Sequence, residues 1–229
     1  TNSPPLNPLP QGEGVRGRVN EGHFRMNEHK LRIGVLASGR GSNLQAIIDA
    51  SEHGKLDAEV VVVISDISDA YALERAKKHG IPGFHINPKD FKNKKEYEEA
   101  IVNKLREHNI RLVILAGYMR LVTSVLIDAF DGNIMNIHPA LLPSFKGLHA
   151  QQQALEYGVR YSGCSVHFVT VDVDGGPVIL QAVVPVFDND TEETLSARIL
   201  EKEHIIYPEA VQLFAEGRLK REGKRVFII

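Results

Sequence analysis

Leu31-Arg-Ile-Gly-Val-Leu-Ala37 followed by Ser38-Gly-Arg-Gly-Ser-Asn43 and then Leu44-Gln-Ala-Ile-Ile-Asp-Ala-Ser51 is the stretch that decides the fold. The first seven residues form an apolar run of the length and composition of a strand buried on both faces. The last eight are apolar at helical spacing. Between them lies a short loop holding two glycines, where the backbone can turn tightly and approach a ligand closely. A strand, a glycine loop and a helix in immediate succession open a βα unit.

The unit repeats along the chain. Glu59 to Ser65 is a second strand, rich in β-branched residues. A helix is expected from Tyr71 to His79, a short strand at Pro82 to Ile86, and a longer helix from Lys94 to His108 opened by Asn93 and Glu96 as a capping box. Arg111 to Ala116 and Asn133 to His138 are further strands, with a short helix at Ser124 to Phe130 between them. Strands alternating with helices predict a doubly wound, mostly parallel α/β sheet.

After Pro139 the pattern changes. His149 to Tyr157 reads as a helix. Ser162 to Asp172 and Pro177 to Phe187 read as two longer strands joined by a turn at Asp174-Gly-Gly176, an antiparallel extension of the sheet. A long helix starts near Asp190, with Asp190 and Glu193 as its expected cap and Pro208 expected to kink it. Lys224 to Ile229 reads as a terminal strand.

Residues 1–29 are set apart as a disordered extension and 30–229 as a single domain. Thr1 to Arg25 carries Pro4, Pro5, Pro8, Pro10 and four glycines with almost no apolar periodicity, and it lacks the apolar core of a secretory signal. The 229 residues are 43% apolar and 24% charged with a formal net charge of −2, which offers no basic footprint for nucleic acid. One cysteine, Cys164, excludes an intrachain disulfide and a cysteine-rich zinc cage, and its apolar surroundings suit a buried thiol better than a nucleophile. No apolar stretch is long enough to span a bilayer. A reducing, cytoplasmic setting is expected.

Four places carry chemistry. Gly41, Ser42 and Asn43 precede a helix whose first N–H groups lack partners, a setting for one phosphate. Leu44 stands where the last glycine of a dinucleotide fingerprint belongs, and no Lys-Ser or Lys-Thr pair follows, so neither a dinucleotide nor a nucleoside triphosphate loop is indicated. A tight turn with a helix cap accounts for the same residues. Asn136 and His138 are two apart on a strand, so both point to one face just before Pro139 ends it. An amide and an imidazole there can meet a developing oxyanion and move a proton, although a polar strand end turning into a loop has the same spacing. Asp174 is close enough in the expected fold to raise the His138 pKa and orient its ring, yet Asp-Gly-Gly is also what a turn requires. Glu203 falls on the apolar stripe of the last helix, where a carboxylate needs a partner or a cleft. Met119, Leu121 and Val122, after a buried strand, form an apolar slot for a flat ring or simply core. His167 reads as a hydrogen-bonded core histidine, and no residues have metal-ligand spacing, so no catalytic metal is expected.

Taken in order, Ser38-Gly-Arg-Gly-Ser-Asn43, Ala116-Gly-Tyr-Met-Arg-Leu121, Asn136-Ile-His-Pro-Ala-Leu-Leu-Pro143, Gly163-Cys-Ser-Val-His-Phe-Val169, Asp174-Gly-Gly-Pro-Val-Ile-Leu-Gln181 and Glu203-His204 resemble the folate-dependent phosphoribosylglycinamide formyltransferases over nearly all of Lys30 to Ile229. The resemblance implies a Rossmann-like formyltransferase fold. It implies transfer of the formyl group of 10-formyltetrahydrofolate, as co-substrate, to the amine of N1-(5-phosphoribosyl)glycinamide in purine synthesis. Asn136, His138 and Asp174 match the catalytic trio of that family, Gly41, Ser42 and Asn43 its phosphate loop, and Glu203 a contact to the ribonucleotide. Arg75, Met119, Arg120, Leu121, Val122, Thr170, Val171, Asp172, Val173 and Asp174, together with Asn136, match positions around the folate. Ser144 to Gly147 matches a mobile loop of variable sequence.

In that chemistry a neutral amine attacks a formamide carbon. Asn136 and a protonated His138 would stabilise the oxyanion, and Asp174 would keep His138 charged and relay the amine proton. The partners expected are small molecules, neither nucleic acid nor membrane, and the protein is expected to be a monomer or weak homodimer. Two related families share the trio. Formyltetrahydrofolate deformylases hydrolyse the formyl group and carry an added regulatory domain, and methionyl-tRNA formyltransferases add a basic C-terminal domain. Neither addition is expected here. A nucleotide-binding domain without catalysis would need Gly39 to Asn43 but not the trio.

Overall fold

The computed structural model describes residues 30–229, and the disorder expected of the first 29 lies outside that range. Five strands, β1 (Leu31–Leu36), β2 (Ala58–Ser65), β3 (Gly83–His85), β4 (Leu112–Leu115) and β5 (Ile134–His138), pair in parallel. β6 (Tyr161–Phe168) and β7 (Val178–Pro185) extend the sheet antiparallel, giving the order β3-β2-β1-β4-β5-β6-β7. The chain winds outward from β1 to β3, then returns to the other side of β1 as β4. That reversal opens a crevice beyond the carboxyl ends of β1 and β4, the place where open α/β sheets bind ligands.

Helices cover both faces, which is why β1, β2 and β4 are apolar at nearly every position. α1 (Ser42–Glu52), α5 (Ala150–Tyr157) and α6 (Glu192–Ala215) pack on one face around Ile33, Val35, Leu44, Leu195 and Ile199. α3 (Lys94–Glu107) and α4 (Ser124–Ala129) pack on the other around Leu36, Ile64, Tyr97, Ile101 and Leu126. α2 (Tyr71–Lys78) lies between β2 and β3. The Tyr207 hydroxyl, fully buried on α6, reaches the carbonyls of Leu115 and Met135, each at 2.9 Å, and so joins α6 to β4 and β5.

Several boundaries differ from the sequence reading for physical reasons. α1 begins at Ser42, two residues before the apolar run, because Gly41 turns left-handed and starts the helix there. β6 and β7 are shorter than expected, and Thr170 to Asp174 is loop: Asp174 has φ 48, which a strand does not accommodate. Thr191 caps α6 through a reciprocal pair with Thr194, while Asp190 is drawn away by the guanidinium of Arg198 at 2.8 Å. Asn93 caps α3 by accepting from the Glu96 N–H, but Glu96 reaches the Lys92 N–H rather than that of Asn93. α6 continues through Pro208 as one helix. The terminal strand is half of a separate hairpin, β8 (Leu219–Glu222) with β9 (Arg225–Ile228), whose first strand is too charged to read from pattern. Among the described residues no helix is long and apolar enough to cross a membrane.

Candidate active site

The loop after β1 forms one wall of the crevice. The first intrahelical bond of α1 runs from the Gln45 N–H to the Gly41 carbonyl at 2.9 Å, so the N–H groups of Ser42, Asn43 and Leu44 precede the helical ladder. With the positive end of the α1 dipole they form an anion site. Ser38 to Asn43 line a cleft of about 270 Å³ with Ala116, Gly117 and Met119 from the loop after β4. Two bonds tie the walls together, Ser38 N–H to the Gly117 carbonyl at 3.1 Å and Met119 N–H to the Ser38 hydroxyl at 2.9 Å.

Asn43 serves two purposes. Its backbone belongs to the anion site, and its side-chain N–H₂ donates to Glu203 Oε2 at 2.7 Å, bringing α6 to the loop. Both side chains are buried, and among the described residues the Asn43 amide oxygen has no partner. Burial pushes the Glu203 carboxyl up, and the Asn43 bond offsets only part of that. His204, beside it, faces an outer groove, where burial and then Arg75 lower its pKa.

At the end of β5 the trio assembles. His138 is buried at 4% exposure, with Nδ1 3.3 Å from Asp174 Oδ2 and Nε2 2.8 Å from the Phe145 carbonyl. Asp174 also accepts the Gly147 N–H at 2.8 Å, so the loop after Pro143 touches both members of the pair. The turn after His138 is held from beneath by the buried Ser165 hydroxyl. That hydroxyl donates to the Ala140 carbonyl at 2.7 Å and accepts the Leu142 N–H at 3.0 Å.

His167 completes the cluster. The antiparallel register sets it opposite Asn136, whose N–H₂ donates to its Nε2 at 3.2 Å. Its Nδ1 donates to the Phe168 carbonyl at 2.9 Å, which fixes that tautomer. Asp174 Oδ1 lies 3.6 Å from His167 Nε2, too long for a hydrogen bond. The sequence reading took His167 for a core histidine, and it is buried and hydrogen-bonded. What the spacing did not reveal is that its partners are Asn136 and Asp174.

Opposing effects set the charge of this cluster. Burial lowers the His138 pKa, and the Phe145 carbonyl and Asp174 offset that only in part, while His167 adds to the lowering. Burial and Asp174 thus act in opposite directions on the charge of His138. Both ring nitrogens face oxygen acceptors, Asp174 Oδ2 at 3.3 Å and the Phe145 carbonyl at 2.8 Å, so only a ring with a proton on each completes both contacts. For Asp174, burial alone raises the carboxyl. The His167 ring, the Gly147 N–H and His138 together outweigh it and hold the group below the usual carboxylate range.

The positions expected around the folate fall in three groups. Met119 and Leu121 are exposed on one lip of the crevice, and Val171 and Val173 are exposed beside Asp172 on the loop that leads to Asp174. Val122 packs into the core under α3, and Thr170 bonds the Asp172 carbonyl at 3.2 Å. Arg120 lies 3.3 Å from the Asp66 carboxylate and over the Tyr97 ring. Arg75 is elsewhere, against the outer side of the loop after β1, with its Nε donating to the Arg40 carbonyl at 2.8 Å. Cys164 is buried in the core, and burial pushes its thiol up to about 12, so it is no nucleophile. Among the described residues Asp49, Glu52 and His79 bring three possible metal-ligand atoms within 4.8 Å of one another, a grouping the linear spacing had not suggested. None of the three belongs to the trio, and His79 Nδ1 pairs with Glu52 at 2.7 Å.

A helix start suited to an anion after β1 and a His–Asp pair at the end of β5, both at the carboxyl edge of the parallel strands, raise the question of kinship. Residues 31–211 match the formyl transferase family. The chain belongs to the formyl transferase family. This formyl transferase is 45% identical over 190 residues to the phosphoribosylglycinamide formyltransferase of Escherichia coli K12, a match covering 83% of this chain and 90% of that one. It is 47% identical over 204 residues to the trifunctional purine biosynthetic protein adenosine-3 of Homo sapiens. The chain spans only about a fifth or less of the length of such trifunctional relatives. Among solved structures it is similar to glycinamide ribonucleotide transformylase 1 of Symbiobacterium toebii, with TM-score 0.87 and 54% identity over 89% of this chain and 96% of that one. A formyltetrahydrofolate deformylase of Pseudomonas syringae has TM-score 0.81 but 26% identity, over 88% of this chain and 66% of that one.

Proposed function

We propose that this formyl transferase moves the formyl group of 10-formyltetrahydrofolate to the amine of N1-(5-phosphoribosyl)glycinamide. The observation that carries the reading is the Asn136–His138–Asp174 cluster at the end of β5, at the same carboxyl edge of the sheet as the start of α1. The phosphate rests on the N–H groups of Gly41, Ser42 and Asn43, with Glu203 beside them. The folate occupies the lip formed by Met119 to Val122 and Thr170 to Asp174.

The amine nitrogen bonds to the formyl carbon and charge develops on the formyl oxygen. The free N–H of Asn136 and the Nε2–H of His138 meet that charge, and for this His138 exchanges the Phe145 carbonyl for the substrate oxygen. Asp174, ionised at neutral pH, receives the proton lost by the amine, directly or through water. Collapse breaks the bond to the folate nitrogen, which leaves with the proton that Asp174 passes on. No covalent enzyme intermediate is required, in keeping with the inert Cys164.

Incubation with 10-formyltetrahydrofolate, with and without the ribonucleotide, tests the reading. Tetrahydrofolate formed only with the ribonucleotide supports transfer. Tetrahydrofolate formed without it replaces transfer with hydrolysis, and none in either case leaves a binding module.

A further inference from the structure

The loop that meets the phosphate is shaped from behind. On its outer side the Ala72 N–H, at the start of α2, donates to the Gly39 carbonyl at 3.0 Å, and Arg75 Nε, one turn later, donates to the Arg40 carbonyl at 2.8 Å. Both carbonyls are thus drawn toward α2. In a planar trans peptide the N–H of the next residue points the opposite way. The N–H groups of Arg40 and Gly41 are therefore turned away from α2, and among the described residues neither donates to a backbone carbonyl.

Arg75 is itself fixed. Its Nη1 donates to Gln45 Oε1 at 2.9 Å. The Gln45 amide has one orientation open to it, because its nitrogen donates to Asp49 Oδ1 at 2.8 Å and meets His79 Nε2 at 3.0 Å, leaving only the oxygen for Arg75. The Tyr71 ring covers the guanidinium at 4.8 Å. A long, flexible cation held on three sides, with its head on a loop carbonyl, is a clamp.

We propose that Arg75, oriented by Gln45, is a positioning residue for the ribonucleotide phosphate: it holds the Arg40–Gly41 peptide so that its N–H joins those of Ser42 and Asn43 around the anion. This rests on the ribonucleotide reading of the loop, and it moves Arg75 from the folate side of the site to the ribonucleotide side. Arg75 acts through the peptide and need not touch substrate.

The test is a comparison of the two substrates. Arg75→Leu should raise the KM for the ribonucleotide about tenfold, the weight of one charge-assisted hydrogen bond, with the KM for formyl folate within about twofold. Gln45→Leu should act in the same direction by roughly threefold, since the guanidinium keeps the loop carbonyl but loses its brace. Arg75→Lys should recover part of the loss, because an ammonium can reach the Arg40 carbonyl but not Gln45 at the same time. A rise in the folate KM equal to or larger than that for the ribonucleotide overturns the clamp, as does an unchanged ribonucleotide KM in Arg75→Leu. Calorimetric titration with ribose 5-phosphate decides the point without turnover. If the protein transfers no formyl group, the functional reading fails, yet an Arg75→Leu protein that binds ribose 5-phosphate as the parent does would overturn the clamp by itself.

Discussion

The Phe145 carbonyl oxygen lies 2.8 Å from His138 Nε2, so the chain's own loop occupies one ring nitrogen of the central histidine. The other faces Asp174 at 3.3 Å, and the ring between them is buried. Burial lowers the pKa of this ring although both its nitrogens face oxygen acceptors, and a pH dependence follows. The folded protein holds His138 and His204 below the ordinary histidine pKa, so near and below pH 6.5 the unfolded chain binds more protons at these sites. Stability from these groups is present above that range and is lost as pH falls through it, at no more than about 1.4 kcal/mol per pH unit for each ring. Glu203, raised by burial, contributes with the opposite sign above its unfolded value. The clean comparison is urea unfolding of wild type and His138→Asn at pH 7.5 and 5.5. The gap between the two proteins should shift in favour of the variant at the lower pH. A gap independent of pH would mean that burial does not depress this histidine.

Asp174→Asn keeps the shape of the turn and the Gly147 contact but removes the proton acceptor. Turnover should fall on the order of 10²- to 10⁴-fold, with the KM for the ribonucleotide nearly intact because the phosphate is held by the loop after β1 and Asp174 belongs to the loop after β6. Steady-state kinetics with both substrates varied would check it, and wild-type turnover would remove Asp174 from the mechanism.

His167→Leu preserves the packing at a buried position while deleting the acceptor for Asn136 and the neighbour that helps keep Asp174 ionised. Turnover should drop by roughly tenfold or more, since a freed amide no longer points in one direction. The acid limb of the pH–rate profile should move upward, because removal of His167 raises the Asp174 pKa. A loss of rate with an unmoved acid limb would reduce His167 to a packing residue.

Much of this was legible in the linear sequence, and for identifiable reasons. Strands buried on both faces advertise themselves as apolar runs, and Gly41 marks a helix start that no other residue type suits. Asn136 and His138 share a face through the two-residue strand period alone. His167 was visible as a residue but not as a site member, because its place opposite Asn136 depends on the register between β5 and β6. The burial that opposes charge on His138 is hidden for a similar reason: a neighbouring carboxylate can be guessed from a turn, whereas depth of burial is a property of the packed molecule. Arg75 lies one helical turn from Ala72, and only the docking of α2 against the loop shows which carbonyl it reaches.

Glu98 is a buried carboxylate whose importance the helical pattern did not suggest. From α3 it accepts the N–H groups of Thr123, at 2.9 Å, and Leu126, at 3.3 Å, and the Thr123 hydroxyl, thereby capping α4 and fixing the segment that follows Met119 to Val122. Glu98→Ala leaves those donors without partners in the core and should cost about 3 kcal/mol, with Glu98→Gln costing roughly 1. Guanidinium chloride unfolding would measure both. The alanine variant should also weaken the folate substrate more than the ribonucleotide, since the loosened segment borders only the former.

Gly41 is where conformational need and close packing coincide. Its φ of 66 is left-handed, and a Cβ at this position would stand 2.8 Å from the Ala72 side chain and 2.9 Å from its Cα. Neither the loop nor α2 can yield without lengthening the bond between the Ala72 N–H and the Gly39 carbonyl that draws the peptide outward. Gly41→Ala should therefore lose about 1–3 kcal/mol of stability and, separately, more than tenfold in affinity for the ribonucleotide, because the displaced peptides are those that present N–H groups to the anion. Gly39→Ala is the internal control. It has no positive φ and nothing within 4 Å of the added methyl, so it should leave stability and ribonucleotide affinity almost unchanged. If the two variants behaved alike, glycine at 41 would be serving chain flexibility in general. If only Gly41→Ala fails, the fit of this one residue against α2 is what holds the anion site open.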